Sequence, residues 1–213
     1  MSSEMRTHVF GNRLRANQQE LEHPVTDAFM PEAELGELTR LFYSDPTELG
    51  QFRACDKSSV PVPYRTLLAH DAHMTVTVEQ RHGCRVSVEV LESFASNTHY
   101  VRKILLRRTN DYRVVQFGIV RLKLDAIDPA ARDEILAKQV PLGRVLIQYN
   151  VMRHVQLLEV WHVRCGRELA SYFDVPRGHE TFGRTALIYC NDEPAIELLE
   201  IVAPEDSFEL ASV

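Results

Sequence analysis

The sequence predicts an α+β protein: one antiparallel sheet with helices packed on one face, and not a parallel, doubly wound sheet. Three observations carry this. Strand-like stretches follow one another through short turns in the middle of the chain. Helical periodicity is confined to blocks before and between those stretches. The chain closes on a hairpin whose arms, FGRTALIYC and AIELLEIVA, flank the turn Asn191-Asp192-Glu193-Pro194.

Residues 1–22 are polar and aperiodic, which predicts a tail or a loose helix. From Thr26 to Tyr43 the residues Phe29, Met30, Leu35, Leu38, Leu41 and Phe42 recur at helical spacing, with Pro31 at the start and Pro46 beyond the end. The bridge SSVPVPYR carries Pro61 and Pro63 and reads as extended. It divides the chain into an N-terminal extension (1–60) and an α+β domain (61–213). MTVTVEQ (74–80) and RVSVEVLES (85–93) alternate and are rich in β-branched residues, so with His82-Gly83 between them they predict a hairpin. YVRKILLRR (100–108) and VVQFGIVRLKL (114–124) follow as strands joined through Thr109-Asn110-Asp111. Asp128 and Pro129 open the helix DPAARDEILAKQ as cap and first residue. Pro141 opens a second, PLGRVLIQ, and VQLLEVWHV (155–163) returns to strand character.

Composition narrows the function classes. The 213 residues carry a net charge of −6 with a pI near 5.9. Nothing global therefore favours nucleic acid or an anionic membrane, and any anion site needs locally placed arginines. Cys55, Cys84, Cys165 and Cys190 are far apart and read as reduced thiols. No stretch approaches roughly 18 uninterrupted apolar residues, and no apolar run follows the basic N-terminus, so the expectation is a cytoplasmic protein. A homodimer is compatible with this composition.

Period-two geometry marks the chemistry. In the last strand Ile196, Leu198, Glu200 and Val202 share one face, and Ala195, Glu197, Leu199 and Ile201 the other. A carboxylate held among aliphatic side chains is costly unless paired or protonated. In the third strand Arg102 shares a face with Tyr100, Ile104 and Leu106. Such an arginine needs an anion: a ligand carboxylate, or a glutamate on a neighbouring strand. The amides of Leu142 and Gly143 stand at a helix start, where N–H groups lack intrahelical acceptors.

The succession LLAHDAHMT, VSVEVLES, YVRKILL, PLGRVL and FGRTALIYCNDEPAIELLEIVAP resembles the chorismate pyruvate-lyase family from about Tyr64 to Pro204. That resemblance implies an enclosed ligand cavity and cofactor-independent elimination of pyruvate from chorismate, leaving 4-hydroxybenzoate. It places the carboxylate-binding arginine on Arg102, the catalytic glutamate on Glu200, the backbone donor on Leu142 and a pocket-lining methionine on Met74. Glu200 is preferred to Glu197 by the resemblance alone. At one point the sequence departs from the family: a second arginine, expected directly after a glycine, is replaced by Ile119 after Gly118. Arg121 and Arg184 are the candidates to substitute for it.

The alternative function is a non-catalytic module binding an aromatic acid, as in effector domains of bacterial transcription regulators that share this fold. Residues 1–60 show no winged helix-turn-helix. A third option is the same fold acting on a related acid. His70, Asp71 and His73, or His162 with Cys165, are too sparse for a metal site. The basic run from Arg102 to Arg113 lacks stacking aromatics, so neither metal nor nucleic acid is expected.

Overall fold

The computed structural model describes residues 35–151 and 153–205. The tail at 1–22 and the first part of the helical stretch at 26–43, with Pro31, lie outside them.

Seven strands of the described residues build the sheet: β1 (Gly50–Cys55), β2 (Val86–Ala95), β3 (His99–Arg108), β4 (Val114–Lys123), β5 (Arg153–Cys165), β6 (Glu180–Cys190) and β7 (Glu193–Val202). Their order is β1-β5-β6-β7-β4-β3-β2. Each neighbouring pair is antiparallel. The α+β class expected from the sequence is therefore present. β6 and β7 meet through Asn191 and Asp192, both with positive φ, the conformation of a tight hairpin turn.

Among the described residues, six helices flank the sheet: α1 (Leu35–Arg40), α2 (Val62–Leu68), α3 (Met74–His82), α4 (Pro129–Leu136), α5 (Leu142–Gln148) and α6 (Arg167–Phe173). The expected helical layer on one face consists of α2 to α5. Leu67, Leu68, Met74 and Val78 pack there on Ile104, Leu106 and Val202. Ile135, Val145 and Leu146 pack on Leu122, Ile196 and Leu198. α1 and α6 cover part of the opposite face, where Leu38, Leu169 and Phe173 meet Phe117, Ile119, Leu199 and Ile201.

Three local expectations are corrected. MTVTVEQ is the helix α3, not a strand. Burial of Met74, Thr75 and Val78 on one side of it outweighs the β-branched composition. Gly83, at φ +61°, is its left-handed C-cap and not a hairpin turn. The bridge at 61–64 begins α2: Pro61 caps the helix and Pro63 lies in its first turn, where no intrahelical N–H bond is lost. Separately, β1, at 50–55, pairs with β5 along its whole length.

Candidate functional site

Strand alternation decides which charges face the helical cover. On β3, β4 and β7 the side chains of Arg102, Gln116 and Glu200 point towards α3 and α5, whereas Lys103, Arg121 and Glu197 belong to the other face. A cavity lies between the sheet and this cover. Its floor includes Arg102, Gln116, Gly118, Arg184 and Glu200, and its roof is made of residues 72–75 with Leu142 and Gly143. The volume is about 40 Å³, space for a few waters. A larger ligand must push aside flexible lining groups such as Met74.

Arg102 is 1% exposed, and its Nε and Nη1 have no hydrogen-bond partner. Burial lowers its pKa, opposed by the neighbouring Tyr100 hydroxyl. A guanidinium in this state is short of a counter-charge.

Glu200 is differently placed. It stands in register with Gly118 on one side and Arg184 on the other. Arg184 Nε donates to its Oε2 at 2.8 Å, and Gln116 Nε2 donates to its Oε1 at 3.3 Å. The rest of the Arg184 guanidinium binds the chain ahead of α3: Nη1 donates to His70 O at 2.8 Å and Leu68 O at 3.4 Å, Nη2 to Ala72 O at 3.1 Å. Arg184 thus fastens the cavity roof to Glu200. His70 lies beside it, its Nδ1 accepting from Ala72 N at 3.0 Å. Burial, then the Arg184 charge, lower the His70 pKa.

Of the residues singled out in the sequence, Arg102, Glu200, Leu142, Met74 and Arg184 all line this cavity. Arg102 and Glu200 lie two strands and two residues apart, roughly 12 Å between Cα atoms at ordinary sheet spacing. Arg184 lines it as the partner of Glu200, with no donor turned towards a ligand. Arg121 does not reach it. It lies with Ile119 on the opposite face, where Arg121 Nη2 donates to Glu197 Oε1 at 2.7 Å and Nε binds Oε2. Glu197 is fully buried, and its burial raises its pKa against the opposing effect of Arg121. The plainer alternative for Arg102, a cross-strand pair with glutamate, is realised instead by Arg184. Gln116 escaped notice because a lone polar residue in VVQFGIV carries no motif; its parity with Gly118 was the available signal.

Helix α5 begins at Leu142 with Pro141 as its cap, one residue later than expected. Its first intrahelical bonds run from Arg144 and Val145 to Pro141 O, which leaves the Leu142 and Gly143 amides outside them. Arg144 turns away from the cavity and braces α5 on Glu79 of α3. Gly143 permits the close approach of the two helices: a Cβ there would lie 2.9 Å from Thr75 Oγ1 and 3.3 Å from His73 Cβ. Gly143→Ala is expected to cost about 1–3 kcal/mol by overpacking, read as a lowered midpoint in urea unfolding.

Among the described residues no three His, Cys, Asp or Glu side chains come together as a metal site, and no helix is long and apolar enough to cross a membrane. Asp71 Oδ1 accepts from Leu157 N at 3.4 Å, tying this segment to β5.

No protein-family model matches the sequence, and no curated protein does. Solved structures give fold-level likenesses. The C-terminal domain of Yurk from Bacillus subtilis is 23% identical, with a TM-score of 0.40 over 56% of this chain and 88% of that one. The effector domain of PhnF from Mycobacterium smegmatis is 9% identical, with a TM-score of 0.47 over 63% and 90%. A GntR-family transcriptional regulator from Enterococcus faecalis is 12% identical, with a TM-score of 0.39 over 55% and 93%. At these values no shared activity follows from the likeness.

Proposed function

We propose that the protein binds a small monocarboxylic acid, of the aromatic-acid class, beneath α3 and α5. The observation that carries this reading is Arg102: a buried guanidinium whose Nε and Nη1 are both unpaired at the cavity wall. A carboxylate matches that fork and returns the charge-assisted bonds that burial removed. The charge balance favours one carboxylate per ligand. Glu200 is matched by Arg184, so among the described cavity residues Arg102 is the uncompensated charge.

Calorimetry and thermal unfolding with benzoate-type monocarboxylates test the proposal. Ligand at 100 times its Kd should stabilise the fold by about 2.7 kcal/mol. The absence of any shift, or an equal shift when Arg102 is replaced, would overturn it.

One observation favours a second reading, the chorismate lyase implied by the sequence resemblance: Arg102 and Glu200 line one cavity from separate strands. Two features favour binding over turnover. Arg184 and Arg121 are both committed to glutamates, which leaves chorismate's second carboxylate without a free guanidinium among the described cavity residues. Glu200 would also have to leave Arg184 to deliver a proton to an ether oxygen. Incubation with chorismate should therefore yield no pyruvate or 4-hydroxybenzoate above the uncatalysed rate. Release of both at enzymatic rates, abolished by Glu200→Gln, would establish the lyase instead.

A further inference from the structure

Gln116 is the second buried polar group at the cavity whose bonding is incomplete. It is 2% exposed, its Nε2 donates to Glu200, and its Oε1 has no partner. The orientation of the amide is dictated by chemistry. An ionised carboxylate only accepts hydrogen bonds, so Gln116 must turn its NH2 to Glu200 and its oxygen away from it. Arg184 Nε donates to Glu200 Oε2 and Gln116 Nε2 to Oε1, so both carboxylate oxygens serve as acceptors. The residues lining the cavity therefore include a guanidinium with unpaired nitrogens and, displaced from it along the sheet, an amide with an unsatisfied acceptor. Arg102 stands opposite Val120, and Gln116 lies four residues back along β4, roughly 14 Å of strand before the reach of the two side chains is subtracted.

We infer that Gln116 is a specificity-determining residue that selects ligands carrying a neutral hydrogen-bond donor, a hydroxyl or amino group, at the end remote from their carboxylate. This rests on the carboxylate-binding proposal above and adds to it a rule for the other half of the ligand. A ligand O–H or N–H completes the bonding of Gln116 Oε1; an apolar ring edge leaves it buried and unmet. A second carboxylate at that end would face an amide oxygen and the Glu200 charge, so dicarboxylates are excluded.

Three probes separate the possibilities by calorimetry: benzoate, the tighter of 3- and 4-hydroxybenzoate, and terephthalate. The parent protein is expected to bind the hydroxybenzoate about 10- to 100-fold tighter than benzoate, and terephthalate more weakly than benzoate. In Gln116→Met the hydroxyl preference should fall to about threefold or less, because the acceptor that rewards the hydroxyl and penalises the bare ring is gone. Gln116→Leu provides a second variant if the methionine fails to fold. Equal binding of benzoate and hydroxybenzoate by the parent, or a preference that persists in both variants, would remove Gln116 from specificity while leaving the carboxylate site standing. If none of the three binds, the carboxylate site itself falls, and this inference with it.

Discussion

Arg102→Met is expected to produce a protein that is more stable than its parent and no longer binds carboxylates. The parent holds a guanidinium at 1% exposure with two of its nitrogens unpaired, a desolvation cost with little return. Methionine fills similar volume beside Ile104 and Val120 without that cost, and such replacements stabilise by about 1–3 kcal/mol. Loss of two charge-assisted hydrogen bonds should weaken carboxylate binding by about 100-fold or more. Urea unfolding and calorimetry on the same variant read both effects. A destabilised variant would show that Arg102 holds the fold together, and the case for it as a ligand group would fail.

Arg184→Met should move stability in the opposite direction. It strips Glu200 of its cation while leaving the carboxylate buried, and releases the carbonyls of Leu68, His70 and Ala72. Breaking one partner of a buried pair costs about 3–5 kcal/mol. Removing Glu200 as well, in Arg184→Met/Glu200→Leu, should recover part of that loss, because the stranded charge is gone. A double-mutant cycle in urea isolates the coupling. Strict additivity of the two substitutions would mean that the bond between Arg184 and Glu200 contributes nothing to the fold.

The two substitutions also show how far the site was legible in the sequence. Alternation placed Arg102 and Glu200 on apolar faces without any structure, because side-chain direction in a strand is a local property. The partners of the other arginines were not legible. β7 inserts between β4 and β6, so Arg121 meets Glu197 and Arg184 meets Glu200 through strand order, which no local pattern encodes. Ile119, Arg121 and the cavity illustrate the limit: alternation puts the first two on one shared face, but which face borders the cavity depends on how the helices dock.

Errors in the fold have similar causes. α3 carries the alternation Thr75-Val76-Thr77-Val78 of a strand, and its helical state is imposed by what it covers. β1 is an edge strand, half exposed and short, so its burial pattern lacks a clean period. α6 is a helix of seven residues between two strands, too brief for helical periodicity to declare itself.

The arrangement of the two central ion pairs bears on how the chain finds its alignment. Arg121 with Glu197 and Arg184 with Glu200 clamp β7 to a different neighbour on each of its two surfaces. Slippage of β7 by a single position would turn Glu197 and Glu200 to the wrong sides together, leaving two carboxylates and two guanidiniums stranded in hydrocarbon. Near-native mispairings of this final hairpin thus carry a double electrostatic penalty. The aliphatic run LLEIVA, which could otherwise slide with little loss of burial, is locked into one alignment during folding.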